Sequence, residues 1–346
     1  MWCYDRPSRR KFMARQLSFF DAKTKFKIDK PIRLIELFAG VGAQAKALDK
    51  LKISFERHFV CEIDERAISS YNAVHGTNFK PIDIRTVKAD DLKIEQTEKY
   101  CYVLTYSFPC QSISLCRTKR EALKEGAGSS SSLLWEVKRI LSQCKKLPQV
   151  LLLENVVEIY NGENGKHFRE FRSFLEGIGY KNYHQILNSK NYGIPQNRKR
   201  CFMVSILGDF MYEFPEPIPL ERTIKDFLQH ETEKKYFLGE KAIKYITNPK
   251  RAGKWTKLLS GNEKFLPVAI TANGNKNWTG QFVRVFNNGV EKIRKLTPKE
   301  CWLFMGFSES DFERARSAGA MDTHLYEQAG NSIVVDVLFH IFKNLL

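Results

Sequence analysis

The 346-residue sequence has eight cysteines (3, 61, 101, 110, 116, 144, 201 and 301) but no CxxC pair, which argues against a zinc ribbon or a disulfide framework. Reduced thiols and a cytoplasmic setting are the expectation, with no metal. No apolar run approaches the ~18 residues of a spanning helix. The opening MWCYDRPSRRKFMARQLSFF also lacks the continuous apolar block of a secretory signal, so no membrane-embedded form is expected. Internal repeats are absent, and the one low-complexity patch is the serine run at 129–132. Acidic residues are scarce, 39 against 56 Lys and Arg, and the resulting +17 favours a polyanionic partner. Nucleic acid is the first candidate, an acidic membrane surface the second.

What is present suits a packed core under a polar surface, with 43% hydrophobic and 27% charged residues. At ~150 residues per domain, the length fits two domains or one large domain with an insertion. Residues 1–30 hold nine basic and three acidic side chains and read as an arm, either a solvated tail or an auxiliary DNA contact. From Ile32 strand-like runs alternate with helix-like ones: IRLIELF then GAQAKALDKLK, RHFVCEI then DERAISSYNAVH, CYVLTYS, and QVLLLEN after LLWEVKRIL. That rhythm predicts an α/β fold with a mostly parallel sheet covered on both faces, to which NYHQILN and RCFMVSIL add two strands.

The alternation stops at Pro215, Pro217 and Pro219, where a domain boundary is placed. Between 245 and 290 there are seven basic residues and one acidic, interleaved with Trp255, Phe265, Trp278, Phe282 and Phe286. Cations for phosphates, with aromatics and amides for bases, suit an insert that reads nucleic acid. Helices return at TPKECWLFMG, with a Thr cap and a Pro at the first helical position, and NSIVVDVLFHIFKNLL closes the chain. The expected division is therefore 31–214 for the first part of the large domain, 215–293 for the insert and 294–346 for the return.

Four constellations carry chemistry. Phe38-Ala39-Gly40-Val41-Gly42 follows a strand and opens a helix, where glycines let a ligand approach the backbone. Alone it is equally a tight turn with no ligand. Cys61-Glu62-Ile63-Asp64, some twenty residues on, adds a carboxylate for ribose hydroxyls, and the pair favours an adenosine-containing cofactor. Ser107-Phe108-Pro109-Cys110-Gln111-Ser112 ends a strand at the edge of an open sheet, where a thiol can act as a nucleophile or simply pack. Glu154-Asn155-Val156 ends the apolar strand VLLL, so its carboxylate is desolvated and suited to holding a proton, or is an ion-paired cap. Gln196-Asn197-Arg198-Lys199-Arg200 places alternate residues on one side if a strand begins there; a solvated basic run is the bland alternative.

In this order, the pieces resemble the DNA (cytosine-5) methyltransferase family: FAGVG (38–42), CEID (61–64), IDI (82–84), FPCQ (108–111), LLWE (133–136), ENV (154–156), YGIPQNRKR (192–200), RKLTPKECWLFMGF (294–307) and AGNS (329–332). The resemblance implies a Rossmann-like S-adenosylmethionine-dependent fold with a smaller inserted target-recognition domain, acting on double-stranded DNA. It implies that Cys110 attacks C6 of a flipped-out cytosine, that Glu154 contacts N3 and the exocyclic amine, and that Arg198 holds the base carbonyl with Arg200 as helper. For S-adenosyl-L-methionine, and its product S-adenosyl-L-homocysteine, it implies Phe38, Gly40 and Gly42 on the methionine side and Glu62 at the ribose. Ile63, Asp83 and Ile84 would meet the adenine, with Pro109, Leu133, Asn331, Ser332 and Ile333 closing the pocket.

DNA contacts are assigned on the same basis to Gln111, Ser114, Cys116, Gln196, Lys250, Arg251, Lys254, Lys257, Thr271 and Asn273. Cys116 and the serine run depart from the common pattern of the loop at 112–132. A monomer is expected, with a cognate restriction endonuclease as a possible partner. Two alternatives remain. A transfer-RNA-directed relative would carry Cys-Phe-Thr, but here Cys201-Phe202 is followed by Met203. A non-catalytic DNA-binding regulator on the same scaffold would be expected to have lost the nucleophile, the acid or the glycines.

Overall fold

The computed structural model describes residues 24–113, 122–250, 252, 256–272, 280–287 and 290–346. Its main sheet comprises β1 (Ile32–Leu37), β2 (Phe55–Cys61), β3 (Cys101–Tyr106), β4 (Val150–Asn155), β5 (Tyr180–Asn188) and β6 (Lys199–Leu207), in the order β2-β1-β3-β4-β6-β5. β1 to β4 are mutually parallel, and β6 runs antiparallel to both β4 and β5. Strands β3 and β4 are buried along their whole length, which is why CYVLTY and VLLLEN lack the period of two seen in half-exposed strands.

Nine helices are present among the described residues: α1 (Ala43–Lys50), α2 (Glu65–His75), α3 (Leu134–Gln143), α4 (Gly162–Gly177), α5 (Glu240–Ile246), α6 (Pro298–Leu303), α7 (Glu309–Ser317), α8 (Asp322–Asn331) and α9 (Val335–Leu345). One face of the sheet, through Leu34, Val103, Leu152 and Val204, packs on Leu48 of α1 and Leu338 and Ile341 of α9. The other, through Ile35, Leu104 and Leu151, packs on Val137 of α3 and Phe171 of α4. This doubly covered sheet puts the ends of β1, β2, β3 and β4 at one edge, where open α/β sheets bind ligands.

A second sheet of β7 (Thr256–Leu259), β8 (Gly280–Asn287) and β9 (Val290–Lys295) lies late in the chain. It does not stand apart from the large core: Leu259, Leu266, Ile270 and Val283 pack in one apolar cluster with Trp302 and Phe304. Arg294 of β9 and Glu300 of α6, 1% and 0% exposed, form an ion pair at 2.7 Å across the junction.

Three local readings change. The end of the expected arm is part of the domain, because Phe26 N–H donates to the Met211 carbonyl (2.8 Å) and Ile28 N–H to that of Leu345 (2.7 Å). The closing run, within the stretch where helices were expected to return, is helical only from Val335, since α8 stops at Asn331 and Ser332 is extended. The strand after the proline turn begins at Lys199, not Gln196, because Gln196 pairs instead with Leu266 of the late segment. Arg198 therefore precedes the strand, and the alternation expected over 196–200 does not apply to it.

Candidate active site

The first constellation forms a left-handed turn, with Phe38, Gly40 and Gly42 at φ 60, 57 and 79°. A Cβ on Gly40 would meet nothing within 4 Å, so this glycine borders open space. Gly42 differs: a Cβ there would come within 2.3 Å of His75 Nε2 and 2.6 Å of Tyr71 Cε2. It caps α1 and packs closely on α2, where only a glycine fits. Glu62, just past β2, ties the turn down, accepting from Gly40 N–H at 2.9 Å and from the Ile63 and Asp64 amides at 2.9 and 3.0 Å. With one such bond on Oε2, that oxygen keeps a free acceptor direction.

A cavity of about 810 Å³ opens from this turn. Phe38, Gly40, Glu62, Ile63, Asp83, Ile84, Pro109, Leu133 and Asn331 line it together with Cys110, Gln111, Glu154, Arg198 and Arg200. Ser332 and Ile333 border an adjoining hollow shared with Phe38, Gly40 and Asn331. The C-terminal return thus reaches the turn after the first strand. Asp83 caps the short turn Ile84–Thr86 and binds the Arg85 guanidinium, which holds its carboxyl below the usual range.

Cys110 follows β3 and Glu154 closes β4, so the parallel pairing of these strands brings thiol and carboxylate to one cavity. Burial pushes the Cys110 thiol up, the Glu154 charge adds to this, and Arg200 and Arg198 oppose it. Burial likewise raises Glu154, against the pull of the same two arginines. Arg200 Nε stands 3.3 Å from Glu154 Oε1. Cys61 also touches the cavity, but its thiol donates to the Ile82 carbonyl (3.3 Å) and burial raises it to about 12.

Arg198 is occupied differently from the implied role. Its Nη1 donates to the Ile270 carbonyl (2.6 Å) and its Nη2 to the carbonyls of Gly330 (3.0 Å) and Ser332 (2.9 Å), leaving only Nε without a partner. Burial drives this guanidinium down to about 9. The arginine placed beside the acid is Arg200. Gln196 is 0% exposed and cannot meet DNA where it stands; its amide bridges the Phe304 carbonyl (2.9 Å) and the Ile270 N–H (2.9 Å).

Two positioning residues were not singled out from the sequence. Asn155 Nδ2 donates to the Phe108 carbonyl (3.0 Å), and Ser131 Oγ, fully buried, to that of Pro109 (2.7 Å), so both brace the Cys110 turn. Asn155 sat in view beside Glu154, whereas nothing in four consecutive serines distinguishes the third. The run is a short helical turn, Ser130–Leu133, capped by Ser129. Of the expected DNA contacts, Gln111, Lys250 and Thr271 are exposed and Lys257 is half-buried in β7. Ser114, Cys116, Arg251, Lys254 and Asn273 lie outside the described residues, as does the arm up to residue 23.

Residues 32–346 match the family described as C-5 cytosine-specific DNA methylase. The chain is 31% identical to type II methyltransferase M2.ScrFI of Lactococcus lactis subsp. cremoris, covering 91% of this chain and 99% of the relative. It is 32% identical to type II methyltransferase M.Bsp6I of Bacillus sp. (strain RFL6), covering 91% and 98%. The fold is shared with S. pombe Dnmt2 methyltransferase at 22% identity (TM-score 0.73, covering 91% of this chain and 98% of that one). It is shared too with the Entamoeba histolytica methyltransferase EhMeth at 20% identity (TM-score 0.76, again 91% and 98%). With its family blocks gathered round one cavity and this match spanning nearly the whole chain, the protein belongs to the C-5 cytosine-specific DNA methylases.

Proposed function

We propose that the chain methylates C5 of a cytosine flipped out of double-stranded DNA, with Cys110 as nucleophile and S-adenosyl-L-methionine as methyl donor. The observation that carries this is the single cavity shared by the glycine turn and by Cys110, Glu154 and Arg200. Its lining contains groups suited to each half of the reaction.

The cofactor end fits an adenosine-bearing cation. Ile63 and Ile84 offer apolar walls for adenine, Glu62 has an acceptor direction for a ribose hydroxyl, and on the methionine side Phe38 stands by Gly40, which leaves the backbone open beside Asn331. S-adenosyl-L-methionine held there supplies an electrophilic methyl group. At the other end Cys110, as thiolate, adds to C6 of cytosine and makes C5 nucleophilic. Glu154, whose carboxyl burial raises above its ordinary value against the pull of two arginines, contacts N3 and offsets charge as the ring electrons move. Arg200, fixed beside Glu154, is placed to hold the base carbonyl, while Arg198 shapes the wall behind. After methyl transfer, loss of the C5 proton and expulsion of the Cys110 thiolate restore aromaticity.

Residues 215–293 are assigned to DNA recognition, with exposed Lys250 anchoring phosphates and Thr271 opening the loop toward bases. A monomer in the cytoplasm suits the reading. Incubation with labelled S-adenosylmethionine and duplex DNA containing 5-fluorocytosine tests it, since fluorine cannot leave as a proton does. A covalent protein–DNA adduct is expected, absent in Cys110→Ser. An adduct with RNA but not DNA, or with neither, would refute the assignment.

A further inference from the structure

The segment 266–272, which leads into the proposed recognition loop, is stitched to the residues ahead of β6. Asn197 N–H donates to the Leu266 carbonyl (2.8 Å), and Leu266 N–H to that of Pro195 (2.8 Å). Ile270 is held at both backbone groups, its N–H by Gln196 Oε1 (2.9 Å) and its carbonyl by Arg198 Nη1 (2.6 Å). The same guanidinium grips Gly330 and Ser332 on the cofactor side. Between the two gripped segments there is no space: a Cβ on Gly330 would stand 2.0 Å from Ala272 N and 2.3 Å from the Thr271 carbonyl carbon. Backbone at 271–272 thus rests directly on backbone at 330, one residue before the cofactor wall formed by Asn331, Ser332 and Ile333.

We propose that Gln196, Arg198 and Gly330 form a clasp that couples cofactor occupancy to the root of the recognition loop, acting as positioning residues for both rather than as contacts to either substrate. A planar guanidinium suits this role because its fork can hold carbonyls of two segments in one fixed geometry, which a lysine cannot. Ordering Asn331–Ile333 around a ligand then orders Ile270–Ala272 through shared bonds, and DNA engaging the loop stiffens the cofactor wall by the same amount, since coupling between binding sites is reciprocal.

This inference rests on the functional reading above, so the test begins with the unmodified protein. Hydrogen exchange is followed in the peptide covering 266–272, with and without S-adenosyl-L-homocysteine and without DNA. Exchange at Ile270 is expected to slow about fivefold or more, although no atom of Ile270 lines the proposed cofactor end. Unchanged exchange overturns the clasp. Calorimetry then gives S-adenosyl-L-homocysteine affinity with and without duplex bearing the site that the wild type methylates. A gain of about tenfold on adding DNA is expected in the wild type, reduced to about twofold or less in Gly330→Ala, Arg198→Met and Arg198→Lys. A merely structural role would lower thermal stability and leave that ratio intact, which would refute the proposal. A wild type that modifies no DNA would remove the functional reading and the clasp with it, whereas methylation with unaltered coupling removes the clasp alone.

Discussion

The reactivity of Cys110 is set by three charges in one desolvated cavity, and they pull in opposite directions. Burial and Glu154 raise the thiol; Arg200 and Arg198 lower it. At neutral pH the resting thiol is therefore protonated, and its thiolate fraction rises as pH rises toward its elevated pKa. Removing the raising charge in Glu154→Gln should speed alkylation of Cys110 by iodoacetamide, and removing the lowering charge in Arg200→Met should slow it, at fixed pH. Mass-spectrometric rates at that one cysteine give the answer; shifts of the same sign in both variants would show that burial alone governs the thiol. Turnover is expected to fall in both, by roughly 10²-fold or more, because each loses a group proposed to act on the base. Ser131→Ala tests the brace: with its bond to Pro109 gone, kcat should fall by roughly tenfold at unchanged cofactor affinity.

At the scale of elements, the late sheet is joined to the large domain by charge as well as apolar packing. Glu300 accepts two bonds from Arg294 (2.7 and 2.8 Å), one from Gln229 N–H (2.8 Å) and one from Thr297 N–H (2.7 Å). The Thr297 cap and Pro298 that open α6 were legible in TPKE, but a fully buried glutamate at the third position was not: capping boxes are usually exposed. Arg294→Met should cost about 3–5 kcal/mol by chemical denaturation, since it strands the Glu300 charge. Asp311, capped into α7 by Ser308 and bonded to Lys46 at 2.7 Å, makes a pH-dependent contribution. Burial would raise its pKa, but the Lys46 and Ser308 bonds outweigh it, so the folded pKa lies below 3.8. The stabilisation is full above that value and lost as pH falls through the folded pKa, so Asp311→Asn should flatten the acid limb of the stability curve. The same limb in wild type and variant would contradict this. Strands and helices of the doubly covered core were readable from run length and periodicity. Helix α4 was not, because NGENG at its start carries the composition of a turn, and only packing of Phe168, Phe171 and Leu175 under the sheet overrides it.

For the whole molecule, what sequence order revealed was which groups meet, and what it concealed was which of two arginines meets the acid. Cys110, Glu154 and Glu62 stand at strand ends, positions fixed by topology once a parallel sheet is accepted. Arg198 and Arg200 are separated by one residue, and what distinguishes them is a partner of Arg198 72 residues away, Ile270, that no local pattern announces. Gln196 was misread for the same reason. The DNA-facing side is the least legible, because phosphate contacts need only exposed cations and many sequences provide them. A net charge of +17 spread over the chain predicts strong, salt-sensitive, sequence-independent attraction on top of any site recognition. Lys250 and Lys264 are both exposed and flank the second sheet's first strand. If both touch phosphates, Lys250→Gln with Lys264→Gln should weaken binding to cognate and non-cognate duplexes by the same factor and lessen the slope of log affinity against log salt by about 2. Fluorescence titration across a salt series resolves the two possible failures. A loss confined to the cognate duplex would make these lysines readers of bases, and an unchanged slope would place the DNA elsewhere on the basic surface.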